Sequence, residues 1–212
     1  MDFTMPLDEA MQTQRAIRRL KPDPVDDEVV LRLIDLAIRA PTGSNRQGWE
    51  FIVVKDPAVK GGLARRNRQL WNLYGRIGRR FRSNDPKRLR ILDAVQWQAD
   101  HFEEVPVVIV ACLKGGYIPF VHITAATYFG SIFPAVQNLL LAARAINLGA
   151  ALTTIPLWNT FAVRRLLGLP WNITPCAVIP LGWPMGRYGP TTRKPVSEVV
   201  SFDRYGNRPS VS

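Results

Sequence analysis

The densest run of ligand-binding chemistry in the chain is Ala40 to Ile52, Ala-Pro-Thr-Gly-Ser-Asn-Arg-Gln-Gly-Trp-Glu-Phe-Ile. A helical pattern stops at Pro41, small polar residues follow, and an apolar strand pattern begins at Trp49, which predicts an exposed turn between two rigid elements. Thr42, Gly43 and Ser44 are small enough for a planar ligand to approach the backbone, and Asn45 and Gln47 add amide donors and acceptors. A second group is cationic. Arg15 and Arg18 stand three apart in a helical pattern, so they are expected on one face, where they can grip a single phosphate. Arg193 and Lys194, near the other end of the chain, can complete that grip. The same letters also make an ordinary turn and an ordinary basic surface, and these residues alone leave both readings open.

Other chemistries find little support. His101 and His122 stand on different elements without ligand-spaced carboxylates, so neither a zinc site nor a histidine triad is expected, and no metal ligands are assigned. No lysine-bearing phosphate loop occurs, and Gly182, Gly186 and Gly189 do not match the dinucleotide fingerprint. Asp26-Asp27-Glu28 reads as a helix start and Glu103-Glu104 as a helix end. Cys112 and Cys176 lie in separate strand-like runs, as buried reduced thiols would. No side chain is assigned a catalytic role, so an enzymatic activity here implies a bound organic cofactor that the protein positions.

The elements that must position these groups fit a single domain spanning residues 1–212, with 47% apolar and 21% charged residues. Helices are predicted from Asp8 to about Leu20 and from after Asp26 to Pro41, the latter with Val29, Val30, Leu33, Ile34, Ala37 and Ile38 on one face. A strand is predicted at Trp49 to Lys55, two arginine-rich helices between Pro57 and Glu103, and a strand buried on both faces at Val105 to Leu113. Ile123 to Leu148 is apolar, but Pro134, Gln137, Asn138, Arg144 and Asn147 interrupt it, so a buried helix shared with a second subunit is expected rather than a membrane span. A short strand at Ala150 to Thr154, a helix from Asn159-Thr160 to Gly168 and a strand at Thr174 to Trp183 complete the order. Beyond Pro184 an extended arm is expected, with Val199 to Phe202 as a candidate edge strand.

The net charge of +11 raises nucleic acid, anionic membrane or a phosphorylated ligand as partners. Much of it lies in Arg65, Arg66, Arg68, Arg76, Arg79, Arg80, Arg82, Lys87, Arg88 and Arg90. No nucleic-acid motif accompanies that run, so a solvated helical hairpin is preferred and neither nucleic acid nor membrane is expected as a partner. Met1 to Pro6 lacks a signal-peptide pattern, and a cytoplasmic location is expected.

Five blocks in series resemble the FMN-dependent nitroreductase family. They are Gln14 to Val25, the Pro41 to Trp49 loop, Pro134 to Arg144, Asn147 to Thr154, and Arg193-Lys194-Pro195. The resemblance implies an α+β, nitroreductase-like fold: a central, mostly antiparallel β-sheet flanked by helices, with an extended C-terminal arm exchanged in a homodimer and FMN at the subunit interface. By similarity, Arg15, Arg18 and Arg193 hold the FMN phosphate. Pro41, Thr42, Gly43, Asn45 and Gln47 line the ribityl chain and ring, and Leu152, Thr153 and Thr154 form the segment whose backbone amide faces flavin N5. NAD(P)H is the implied co-substrate, and a nitroaromatic, quinone or related small molecule the implied electron acceptor, in a ping-pong exchange. Residues 57–103 occupy the position of a variable helical lid and 184–212 that of the arm. The chain departs from the family at Gln14, where arginine is common, at Ala16 and Thr42, where serine is common, and at Gly48, where proline is common, with Arg187 and Arg19 as candidate replacement cations. Enone reduction, dehydrogenation and reductive dehalogenation on the same fold stay open, as does a non-enzymatic protein that binds RNA or a membrane surface.

Overall fold

A computed structural model of the chain describes residues 3–81, 85–116 and 122–209. Arg82 and the side chains of Arg76, Arg79, Arg80 and Lys87, part of the arginine-rich run, lie outside what is described, as do the last three residues of the arm. The elements are α1 (Leu7–Thr13), α2 (Asp27–Ala37), β1 (Trp49–Val54), α3 (Pro57–Phe81), α4 (Pro86–Asp100), β2 (Val107–Lys114), α5 (His122–Ala145), β3 (Gly149–Ala150), α6 (Thr160–Leu167) and β4 (Ile173–Gly182).

The four strands form one sheet in the order β1-β2-β4-β3, and every pairing in it is antiparallel. Central β2 is buried along all but its last residue because each of its faces meets a helical layer. Val107, Ile109, Ala111 and Leu113 pack with residues of α2 and α5, whereas Val108, Val110 and Cys112 pack with residues of α3 and α6. Strand alternation therefore sends successive apolar side chains into two separate cores. Truncating a fully buried residue such as Ile109 to alanine costs about 2–5 kcal/mol. On α2, Val30, Leu33 and Ala37 recur at helical spacing and are its buried residues. Asn159 caps α6 by accepting from the Ala162 N–H at 3.0 Å, and Gly168 ends it at φ 64°.

Three expectations are corrected. The first helix stops at Thr13, not Leu20, and Gln14 is already extended at φ −63°, ψ 125°. Residues 14–20 instead run along the sheet edge. The Ile17 N–H donates to Ala150 O at 3.0 Å, Lys21 N–H donates to Trp183 O at 2.7 Å, and Leu20 bridges Pro184. Gly149 permits this, since a Cβ there would lie 2.6 Å from Leu20 Cδ2 and 2.8 Å from Ile17 Cγ2. The strand expected at Ala150 to Thr154 is shorter, Gly149–Ala150, followed by an isolated bridge between Thr153 and Val178. The edge strand expected at Val199 to Phe202 does not form; Val196–Glu198 is a single 3-10 turn, and the chain bends after it.

The long helix α5 buries Ile132, Ala135, Val136, Leu139 and Ala143, but leaves Gly130, Phe133 and Gln137 exposed in a row, with Ile123 exposed at its start. No helix among the described residues is long and apolar enough to cross a membrane.

Candidate functional site

A cavity of about 770 Å³ contains the predicted cationic group and draws its walls from five parts of the chain. Gln14, Arg15, Ala16 and Arg18 come from the extended segment after α1, Arg90, Ile91 and Ala94 from α4, Leu140 and Leu152 from α5 and the turn after β3, and Pro190 to Arg193 from the arm. The structure thus brings Arg15, Arg18 and Arg193 together, though not by the helical face the spacing suggested. Arg193 arrives because the arm is tied to the end of α1: Thr191 N–H and Thr191 Oγ1 both donate to Gln12 O at 2.9 Å. Further back, Tyr188 Oη donates to Leu148 O at 2.6 Å, with the guanidinium of Arg144 4.2 Å from the Tyr188 ring centroid. Buried Arg144 also donates to Thr13 Oγ1 and Asn147 Oδ1, each at 2.8 Å, so one side chain fastens α1, α5 and the arm.

Four arginines line this cavity and no carboxylate does. Burial, and then the neighbouring charge of Arg15, holds the Arg18 guanidinium below its usual pKa. Cations held close without a counterion form a site for an anion with several acceptor oxygens. Arg19 and Arg187 do not line the cavity, so the cation added to the expected set is Arg90. Gln98 lies on the same face of α4 as Ala94 and Arg90, at successive intervals of four. It is buried, and its Nε2 has no hydrogen-bond partner among the described residues. Arg90, Ala94 and Gln98 were legible in the sequence as a four-residue repeat, but the arginine excess around them obscured it.

The Pro41 to Gly48 loop lies elsewhere. Thr42, Gly43, Ser44, Arg46 and Gly48 line a separate cavity of about 270 Å³ with Lys114, Thr127, Tyr128 and Ser131. Its backbone is strained in the way the residue types foreshadow: Ser44, Asn45 and Gln47 have φ of 53°, 51° and 49°. The conformation is held by Gln47 N–H donating to Thr42 Oγ1 at 3.1 Å, Lys114 N–H to Gly48 O at 2.7 Å, and Trp49 Nε1 to Ser131 O at 2.9 Å. Pro41, Asn45 and Gln47 face outward. Within one chain the loop and the arginines do not meet. Ser131 faces one cavity and Leu140 the other, nine residues apart on α5, roughly 14 Å along its axis.

Leu152 reaches the arginine-lined cavity, but Thr153 is committed to the sheet: its N–H donates to Val178 O, and it accepts from Val178 N–H, both at 2.9 Å. Among the described backbone hydrogen bonds, none uses the N–H of exposed Thr154. His101 stacks on Trp97 at 4.1 Å between ring centroids, and its Nδ1 lies 2.8 Å from Trp97 O. Cys112 and Cys176 are free and buried, and burial pushes their thiols up to about 12 and about 11.

Comparison with known proteins places this geometry. The model of the nitroreductase family matches residues 11–183. A Methanothermobacter thermautotrophicus protein, provisionally named as an NADH dehydrogenase/NAD(P)H nitroreductase, is 28% identical over 180 residues, covering 83% of this chain and 76% of its own. Iodotyrosine deiodinase 1 of Rattus norvegicus is 28% identical over 179 residues, covering 83% of this chain, which spans 61% of that protein's length. Among solved structures, oxidized iodotyrosine deiodinase bound to FMN and 3-iodo-L-tyrosine superposes with a TM-score of 0.71 at 24% identity, over 94% of this chain and 100% of that one.

Proposed function

The chain belongs to the nitroreductase family, and from that premise we propose that it is an FMN-dependent oxidoreductase that uses NAD(P)H to reduce a small organic acceptor such as a nitroaromatic or a quinone. The observation that carries the reading is the cavity in which Arg15 and Arg18 from one end of the chain and Arg193 from the other converge beside Leu152 with no acidic residue in the wall. Similarity to a deiodinase crystallised with FMN supports the identity of the ligand.

In this reading Arg15, Arg18 and Arg193 hold the FMN phosphate by charge-assisted hydrogen bonds. Pro41, Thr42, Gly43, Asn45 and Gln47 line the ribityl chain and ring from a second copy of the chain, because in one copy the loop and the arginines open into separate cavities. Leu152 packs against the ring. Of the Leu152 to Thr154 segment, Thr153 has spent its N–H on Val178, which leaves the N–H groups of Leu152 and Thr154 as the donors toward flavin N5. FMN, when bound, accepts a hydride from NAD(P)H and passes two electrons to the acceptor. The chain's own contribution is positional and electrostatic: it orients both substrates, which occupy one pocket in turn, and surrounds the site with positive charge that favours the reduced, anionic state. No side-chain acid or base is assigned.

The second copy docks on the exposed Gly130, Phe133 and Gln137 row of α5. The outer arm, where Val196, Val199 and Phe202 are exposed apolar residues, lies across that copy. Residues 57–103 act as the lid, and α4 supplies part of the cavity wall. The whole of 1–212 works as one FMN-binding domain.

Purified protein is expected to be yellow with a flavin absorption spectrum that NAD(P)H bleaches anaerobically. Colourless protein that cannot be reconstituted with FMN overturns the reading. A second reading, reductive dehalogenation, draws on the similarity to iodotyrosine deiodinases. Iodide release from an iodophenol by pre-reduced protein, at a rate exceeding nitroaromatic and quinone reduction, would favour it.

A further inference from the structure

We propose that the acceptor is an aromatic anion and that Arg90 on α4 reads its charge; the inference rests on the FMN reading above. Arg15, Arg18, Arg90 and Arg193 all line one cavity without a carboxylate. A phosphate monoester carries about −1.5 to −2 at neutral pH, so roughly two positive charges stay uncompensated once the cofactor is in place. The loop that a second copy contributes brings Arg46 and no acid, which increases the surplus. Arg90 is the member of the four that comes from neither end of the chain, and its side chain makes no ion pair or hydrogen bond among the described residues. The same wall carries apolar residues. Ile91 is 55% exposed, and Ala94, Leu140 and Leu152 complete a surface that suits a planar ring. A ring bearing a carboxylate or phenolate fills both requirements: the apolar body covers Ile91 and Leu152, and the anionic edge meets a guanidinium fork.

The test uses the holoenzyme with two acceptors that share a ring and differ in charge, 4-nitrobenzoate and its methyl ester, with NADH at a fixed saturating level. Benzoate, which cannot be reduced, is titrated separately against the oxidised holoenzyme by the perturbation of its visible spectrum. The expected result is a kcat/KM for 4-nitrobenzoate about tenfold or more above that for the ester. Arg90→Gln should lower that ratio about tenfold and weaken benzoate binding by a similar factor, and Arg90→Lys should restore part of both. A ratio unmoved by Arg90→Gln overturns the proposal. So does loss of FMN from the variant, which would assign Arg90 to the cofactor, or a selective rise in the KM for NADPH over NADH, which would assign it to the co-substrate phosphate. Failure of the FMN reading looks different, since the unmutated protein would then reduce neither acceptor and show no flavin spectrum.

Discussion

Arg15 and Arg18 face one cavity with no carboxylate between them, and the charge of Arg15 adds to burial in holding the Arg18 guanidinium below its usual pKa. Two cations held together at a cost to each other are a site prepared for an anion. Replacing one should relieve repulsion in the empty protein and remove a charge-assisted hydrogen bond, about 1.5–3 kcal/mol, from the loaded one. Arg18→Gln is therefore expected to leave the melting temperature of the apo-protein unchanged or raised, and to weaken FMN binding roughly 10- to 100-fold by fluorescence quenching. Riboflavin, which lacks the phosphate, should bind both forms alike. Equal losses for FMN and riboflavin would move the phosphate elsewhere.

The loop from Thr42 to Gly48 trades stability for shape. A left-handed conformation costs a residue with a Cβ roughly 1–2 kcal/mol, and Gln47 adopts one at φ 49°. Gln47→Gly removes that cost against a smaller entropic penalty of about 0.5–1 kcal/mol. Thermal unfolding of the apo-protein should shift upward by about 1–4 °C, while FMN affinity falls because the amide is gone. A variant that is both less stable and equally tight would show that Gln47 contributes to the loop's packing and not to the ligand.

How far these groups were legible from sequence differs by kind. The loop and the burial of β2 on both faces follow from local residue type and spacing, and the structure has them; Arg15 and Arg18 do share a cavity, but not through the helical face that their spacing suggested. The path of the segment from Gln14 to Leu20 does not follow from local residue type. Nothing in those residues stops a helix before Lys21-Pro22, yet it is drawn out straight by partners about 130 to 165 residues away, Ala150, Trp183 and Pro184, and by the absence of a side chain at Gly149. Local propensity lost to a sheet edge that only tertiary structure supplies. Arg90 and Gln98 were hidden for another reason: in a helix rich in arginine, no single cation announces which way it faces. The separation of the loop from the arginines within one chain has no local signature at all.

Phe133 is the exposed apolar centre of the α5 row, 39% accessible between Gly130 and Gln137. If that row is the seam between two copies, a carboxylate placed there is buried without a partner, a change that costs several kcal/mol. Phe133→Glu should therefore yield monomers by light scattering. It should also lose FMN, although the residue lines neither cavity, because the loop of one copy no longer reaches the arginines of the other. A dimeric Phe133→Glu protein that keeps its cofactor would place the seam on another surface.

Burial keeps Cys112, Cys176 and Tyr188 protonated into the alkaline range, and this makes stability depend on pH there. Cys112 is raised from 9.0 to about 12, Cys176 from 9.0 to about 11 and Tyr188 from 10.0 to about 12, in each case first by desolvation. A raised folded-state pKa means that the folded chain holds its proton more tightly than the unfolded one. The contribution is complete below pH 9 and declines as the unfolded thiols begin to ionise while the folded ones do not. At pH 11 the Cys112 thiol alone accounts for a loss of roughly 3 kcal/mol. Melting temperatures measured from pH 8 to pH 11 should therefore fall steadily above pH 9, and the fall should be shallower in Cys112→Ala even though that variant starts from a lower value. Native thiols at pH 8 should resist iodoacetamide and react once the chain is denatured. Parallel pH profiles for the two proteins, or rapid alkylation of the native one, would show that Cys112 is not shielded as its place on β2 requires.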